Sequence, residues 1–430
     1  MITAVIYLAA VPRYLSANRC SYKPALNAEM KKETRTFLLT INSGSSSLKF
    51  SLFDAVTLEL EIYGVVCELR PGDHHFTVRD NKGKVIINHA VKSLKITNAE
   101  KEIIDFLQNN RQKYPVTAIG HRVVQGGAAH KEPELITAGL LEELNKLIYL
   151  APNHLPDEIN LIKTFGEAFP GIIQVACFDT FFHRNLPDYA RTYALPEEYR
   201  KNGLVRYGFH GLSYESIVER LVAKHTGLKK KKIIIAHLGS GASIAAVKDG
   251  VCIDTTMGIS PIGGLIMSTR CGDLDPGAIL FLLRQHKLNV TQLDEILSRS
   301  SGLKAIAGTG DMVTLSQKAP DCPEAQLAIA MFCYHVQKFI GGMTAALGGL
   351  DLLVFTGGIG ENSPLIRKKI CEGLEFSGIK LKNSYNEDNR QVISKKHNRV
   401  KVLVVPADEA TMIAKHTCQI VNKQHQNQST

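Results

Sequence analysis

The sequence predicts an α/β chain in which one design occurs twice, and three observations predict it. The first is residues 36–54, TFLLTINSGSSSLKFSLFD, which read as strand, Gly/Ser turn, strand. Residues 37–41 are apolar and β-prone, and residues 47–53 alternate in period two. The second is residues 232–250, KIIIAHLGSGASIAAVKDG, where three isoleucines lead into a Gly-Ser-Gly turn and a second strand. Aligned on the turn, Asn42 matches His237 and Gly44 matches Gly239, both 195 residues apart. Both turns are expected to replace the usual two-residue hairpin loop with small polar residues. The third is an alternation of helical patterns (140–149, 215–225, 324–347) with strand patterns (171–178, 400–405). A further glycine turn lies in residues 351–370, DLLVFTGGIGENSPLIRKKI. There 352–355 read as a buried strand, Gly357-Gly358 break it, and Ser363 with Pro364 open a helix. Such a strand end and helix start can approach a nucleotide closely through backbone.

Composition sets the outer bounds. The chain has 430 residues, 44% hydrophobic and 21% charged, enough for two or three domain-sized units with ample core. No apolar run approaches the roughly 18 residues that a membrane helix needs. The net charge of +10 admits nucleic acid or anionic substrates as partners. Yet the Lys-rich runs at 229–232, 367–369 and 395–401 carry no interleaved aromatics, so they read as solvated faces. Nine cysteines without a C-x-x-C pair indicate neither a zinc site nor a disulfide framework, and fit reduced thiols in a cytosol. Residues 2–11, ITAVIYLAAV, have the length of a signal-peptide core but no cationic segment before them and no small-x-small site after them. Met30 offers an alternative start, and residues 1–35 are read as an extension outside the fold.

TINSGSSSLK (40–49) combines Gly, Ser and Lys as a phosphate cradle would. It is not a Walker loop, because no second Gly precedes Lys49. Eight motifs in order turn this hint into a resemblance: NSGSSSLKF, GHRVVQGG, FDTFFH, YGFHGLS, HLGSGASI, TRCGDLDP, GGIGENSPLIR and PADEATMIA. With them the chain resembles the acetate kinases, within the acetokinase family that also includes propionate kinase. The resemblance runs from Phe37 to about Ala414. It implies two duplicated actin-like ATPase (ribonuclease H-like) domains facing a cleft, residues 36–180 plus about 411–430 and residues 181–410. It also implies a cytoplasmic homodimer and reversible transfer of the ATP γ-phosphoryl group to acetate, giving ADP and acetyl phosphate with Mg²⁺ or Mn²⁺.

A carboxylate nucleophile is ionised at neutral pH and needs no general base. Catalysis should therefore come from cations and donors that neutralise charge and align the partners. By resemblance Arg122 binds the acetate carboxylate, with His154 on the substrate side. Arg270 and His210 hold the phosphoryl oxygens. Asp179 is an active-site residue, which the chemistry assigns to orienting an arginine or the metal. Asn42 and Glu409 are the metal ligands. Lys49, Ser45 and Ser47 line the nucleotide turn, and His237, Leu238, Gly239, Ser240 and Gly241 form the loop under the phosphates. Asp311, Met312 and Val313, with Gly357, Gly358, Ile359, Gly360 and Glu361, border the adenosine.

The chain also departs from the family's pattern. Asn153 stands where a leucine lines the acetate methyl pocket, which leaves acetate against propionate or another short carboxylate open. Ser240 replaces an Asn, Val313 an Arg on the adenine side, Tyr214 a second His, and Ala410 a second Glu. Two competing readings share the fold. An actin-like ATPase without kinase activity leaves Arg122, Arg270 and His210 unexplained. A sugar kinase would use a carboxylate base such as Asp179, and would leave the two arginines unexplained. No nucleic acid or membrane partner is expected.

Overall fold

The computed structural model describes residues 35–44, 47–70, 73–91, 96–224 and 230–428. The apolar stretch at 2–11, Met30 and Ser45 lie outside the described residues. The chain divides into two compact units, Met1–Phe181 with Asp408–Thr430, and Phe182–Ala407.

The first unit holds an eight-stranded sheet of β1 (Phe37–Gly44), β2 (Ser47–Asp54), β3 (Leu60–Arg70), β4 (Asp73–Asp80), β5 (Val85–Val91), β6 (Val116–Val123), β7 (Glu134–Leu135) and β8 (Ile173–Phe178). Their spatial order is β5-β4-β3-β2-β1-β6-β8-β7. The second unit holds β9 (Lys232–Leu238), β10 (Ala242–Lys248), β11 (Val251–Thr255), β12 (Leu352–Thr356) and β13 (Lys401–Val404), ordered β11-β10-β9-β12-β13. The run β3-β2-β1-β6-β8 and the whole second sheet have one topology. Each is three antiparallel strands continued by two parallel ones. The repeat read from two glycine turns is thus a repeat of strand order.

The central strands are apolar because both faces are covered. In the first unit Phe37, Leu39 and Ile41 enter a core with Ile103, Phe106 and Phe165 from helices Ile96–Asn109 and Leu155–Ala168. Leu38 turns to the other face, where it meets Ala118, Cys418 and Val421 under helix Glu409–Gln428. In the second unit Ile233, Ile235, Ala245 and Val247 pack on Tyr214, Ile217 and Leu221 of helix Gly211–Lys224. The long helix Pro323–Leu347 packs against β9 and β10.

Two readings of the turns need correction. Gly44 pairs with Ser47, which leaves two residues between them, so the first turn is a two-residue hairpin loop after all. Pairing continues through the small residues and shortens the loop. In the second hairpin Leu238 pairs with Ala242, and Gly239 N donates to Gly241 O at 3.0 Å across a three-residue loop. Gly357 and Gly358 do not interrupt the chain as a loop. They open a short helix, Gly357–Asn362, directly at the end of β12. Gly357 has φ 78°, and a Cβ there would lie 2.7 Å from Leu238 O, so only glycine fits. Ser363 then caps helix Pro364–Glu372, accepting from Ile366 N at 3.4 Å. Among the described residues no helix is long and apolar enough to cross a membrane.

Candidate active site

Strand parity assembles the first unit's group. Asn42 has the parity of Leu38, so its side chain takes the face on which helix Glu409–Gln428 packs. There Asn42 Nδ2 donates to Glu409 Oε2 at 2.6 Å, at the first residue of that helix. Register sets Lys49 opposite Asn42, with its side chain exposed. Ser47 is half-buried on the same strand.

Arg122, on β6, shares the parity of Ala118 and so the same face. Its Nε and Nη2 donate to Asp179 Oδ2 at 3.0 and 2.5 Å, just past the end of β8. Its Nη1 donates to Asn42 Oδ1 at 3.3 Å and Ser43 O at 3.1 Å. The Asp179 side chain is 1% exposed and that of Arg122 13%. Burial opposes the guanidinium charge, but the charges of Asp179 and Glu409 outweigh it and raise the Arg122 pKa. Asn42, Arg122, Asp179 and Glu409 therefore form one bonded network.

His154 occupies the N-cap position of helix Leu155–Ala168, without a side-chain capping bond. One turn on, Glu158 N donates to His154 O at 3.1 Å, and Glu158 Oε2 accepts from Val124 N at 3.0 Å. Glu158 thus ties the turn of His154 to the strand that carries Arg122. Burial lifts its carboxyl to about 8, against the opposing pull of the Val124 N–H and of Arg122. Glu158 was not legible in the sequence, because its side-chain partner, Val124 N, is brought near only by the fold.

The second unit's group grows from the other hairpin. Register sets His237 opposite Ser243, on the face of helix Gly211–Lys224. His210, one residue before that helix, has φ 59°, a left-handed conformation that turns its ring over the strand pair. The His210 and His237 rings stack with centroids 4.4 Å apart at 21°. Ser213 Oγ lies 2.8 Å from His237 Nδ1, and Ser243 Oγ lies 2.8 Å from His210 Nδ1. A Cβ on Gly241 would stand 3.2 Å from His210 Nε2 and 3.7 Å from Arg270 Nη1. Glycine there lets the loop backbone approach both side chains. Arg270 Nη1 also donates to Pro261 O at 3.1 Å. Leu238 is wholly buried and Ser240 exposed, and Ser240 O accepts from Ser268 N at 3.2 Å.

The residues expected near the adenosine are partly turned inward. Glu361 Oε1 accepts from Gly357 N at 2.9 Å, Ala407 N at 3.1 Å and Thr356 Oγ1 at 3.3 Å. Burial raises its pKa against those three donors. Asp311 caps helix Met312–Lys318, accepting from Thr314 N at 2.9 Å and Thr314 Oγ1 at 2.6 Å. Met312 is buried, whereas Val313 is 64% exposed. Gly358 is exposed, Ile359 half-buried and Gly360 buried, so backbone more than side chain is on offer here. Arg367, the last residue of GGIGENSPLIR, is fully buried. It donates to Gly360 O at 2.9 Å, Glu361 O at 2.8 Å, Asn386 Oδ1 at 2.8 Å and Asn386 O at 2.9 Å. It holds the short glycine helix from behind, a task its place in the motif did not reveal.

Among the described residues no group of three or more His, Cys, Asp or Glu side chains could hold a metal ion. Asn42 meets Glu409 through its amide nitrogen, while its Oδ1 accepts from Arg122 Nη1. The amide oxygen and the carboxylate, hard donors on neighbouring side chains, suit a cation that takes its remaining ligands from phosphate and water.

The acetokinase family model matches residues 37–415. An acetate kinase of Methylocella silvestris is 40% identical over 404 residues, covering 90% of this chain and 98% of its own. One from Phocaeicola vulgatus is 38% identical over 413 residues, covering 90% and 100%. Among solved structures, a propionate kinase from Francisella tularensis superposes with TM-score 0.83 at 35% identity, covering 90% of this chain and 100% of its own. The Porphyromonas gingivalis acetate kinase gives TM-score 0.78 at 35% identity with the same coverage. These likenesses span nearly all of the described residues and include every motif that supplies the two groups, and by them the chain belongs to the acetokinase family.

Proposed function

We propose that this chain is an acetate kinase, transferring the γ-phosphoryl group of ATP reversibly to acetate. The observation that carries the proposal is the Arg122 network, a guanidinium held charged and oriented by Asp179. A planar fork fits a carboxylate better than an ammonium does. Arg122 binds the acceptor, with His154 on the substrate side, and Asp179 positions Arg122 without removing a proton, because acetate arrives ionised. His210 and Arg270 converge on Gly241 and hold the phosphoryl oxygens as charge shifts from nucleotide to acceptor. The 237–241 loop supplies backbone donors, with Lys49, Ser45 and Ser47 for the nucleotide phosphates. The segments 311–313 and 357–361 border the adenosine. Asn42 and Glu409 hold Mg²⁺ (Mn²⁺ serving as well), which when bound neutralises phosphate charge. The domains are residues 36–180 with about 411–430, and residues 181–410.

A cytoplasmic homodimer completes the reading. Helix Pro276–Gln285, PGAILFLLRQ, has no buried residue, and Leu280 and Phe281 stand 46% and 57% exposed. Such an apolar surface supports burial against a second copy. Cys67, Cys177, Cys252, Cys271, Cys322, Cys333 and Cys371 are free thiols, whereas Cys418 is disulfide-bonded, which departs from the expectation of reduced thiols throughout. Propionate kinase is the second reading, left open by Asn153 in the acyl-pocket motif and favoured by the name of the Francisella structure.

The test is purified protein with ATP, Mg²⁺ and acetate, propionate or butyrate, the acyl phosphate being trapped as hydroxamate. Acetate should give the highest kcat/KM. A higher value for propionate moves the chain to the second reading, and no product from any of the three ends the acyl-kinase proposal. Arg122→Ala should lower kcat/KM by at least about 100-fold; near-normal turnover would place the acceptor elsewhere.

A further inference from the structure

The second unit contains a hydroxyl chain that none of the site assignments above uses. Tyr214 and Ser243 are both wholly buried. The Tyr214 phenol lies 2.5 Å from Ser243 Oγ, which in turn lies 2.8 Å from His210 Nδ1. Fold and register make the chain. Ser243 comes from β10, opposite His237, while His210 and Tyr214 flank the first turn of helix Gly211–Lys224. Tyr214 N also donates to His210 O at 3.1 Å, which fixes the spacing of the two residues.

Ser243 has a single hydroxyl hydrogen, which it can give to one neighbour only. A phenol is a stronger acid than an alkyl alcohol by several pKa units and is therefore the better donor of the pair. The favoured sense is Tyr214 O–H to Ser243 Oγ, then Ser243 O–H to His210 Nδ1. An Nδ1 that accepts leaves the ring hydrogen of neutral His210 on Nε2. Nε2 is the atom that approaches Gly241 beside Arg270 Nη1. We propose that Tyr214, acting through Ser243, holds His210 in its Nε2–H tautomer, so that this nitrogen donates to the transferring phosphoryl group. Tyr214 and Ser243 are positioning residues, and the last clause rests on the assignment of His210 under the proposed function. Tyr214 stands where the family pattern has a second histidine, so the chain sets this proton with a phenol.

The test is long-range ¹H–¹⁵N correlation of the histidine rings in the full-length protein, with His210 assigned by its loss in His210→Asn. The wild type should show neutral His210 as the Nε2–H tautomer. In Tyr214→Phe the serine hydroxyl loses its donor and can accept from Nδ1–H, so the other tautomer should appear. Ser243→Ala leaves Nδ1 without its hydroxyl partner and should shift the Nδ1 resonance, and Ser243→Thr, which keeps the hydroxyl, should restore the wild-type pattern. Either an Nδ1–H tautomer in the wild type or an unchanged spectrum in both Tyr214→Phe and Ser243→Ala overturns the proposal. Kinetics then test the role of His210 separately. Tyr214→Phe should lower kcat about tenfold with KM for ATP and acetate within about twofold, as expected when a donor acting only in the transition state is lost. A tautomer that changes with kcat intact upholds the relay and removes His210 from the phosphoryl site.

Discussion

Glu158 is a carboxyl group whose surroundings disagree about its charge. Burial favours the neutral acid and holds its pKa near about 8, although Arg122 and the Val124 N–H favour the anion. Asp179 and Asp157 add like charge and push the same way as burial. In the unfolded chain the group ionises near its ordinary 4.5. Between those values the folded state holds the extra proton, so stability from this group is complete below about 4.5 and lost as pH rises through about 8. Glu158→Gln keeps an acceptor for Val124 N and removes the titration. The melting temperature of the variant relative to wild type should therefore rise from pH 5 to pH 9. A constant difference across that range would show that Glu158 does not titrate in the folded protein. Arg122 was legible as a residue because its motif is local. Glu158 was not, since its partner is a backbone N–H that only the fold brings near.

Parity and close packing do the corresponding work for elements. The face of β6 that carries Arg122 also carries Gly120, on which helix Glu409–Gln428 lies. A Cβ at Gly120 would stand 2.6 Å from Ile413 Cγ2 and nearer still to Thr417 Oγ1. Gly120→Ala should therefore lift the helix that begins with Glu409, costing about 1–3 kcal/mol. It should lower the melting temperature and, on the proposed metal role of Asn42 and Glu409, raise the Mg²⁺ concentration needed for half-maximal activity, because the Asn42 to Glu409 contact depends on helix position. Calorimetry and a magnesium titration of activity would check both, and an unchanged melting temperature would mean that the helix has room to move. The sequence placed the strands and helices closely here: the 324–347 pattern is helix Pro323–Leu347, and 232–250 is the β9–β10 hairpin. It misjudged the first hairpin loop because pairing through Gly44 and Ser47 depends on the partner strand and not on turn residues.

For the whole molecule, each unit encloses a fully buried histidine held neutral. His121 in the first unit is buried beside Gln174 Oε1, at 2.6 Å, and burial lowers its pKa to about 4. His183 in the second lies 3.0 Å from Phe209 O and 3.2 Å from Cys252 Sγ, and burial likewise lowers it to about 4. Unfolded histidine takes up its proton near 6.5, so on acidification the unfolded state gains protons first. The stability of both units should be intact above about 6.5 and fall as pH drops through about 4. Calorimetry between pH 7 and pH 4 should show both units losing melting temperature over one window. A unit whose transition stays put has a histidine that finds another way to take up its proton.

The sequence by itself determined the class, the duplicated hairpins, the family and the residue types of the chemistry, because each of these is written in short local runs. Only the tertiary structure decided which of those residues share a face and what fills their hydrogen bonds. Asp179 belongs to Arg122, Glu409 to Asn42, and Ser243 with Tyr214 to His210. Glu361 and Asp311, which the motifs assign to the nucleotide, cap their own backbone. The reason is physical: side-chain direction alternates at every strand residue, so a one-residue change of register sends a side chain to the other face, and long-range pairing sets the register.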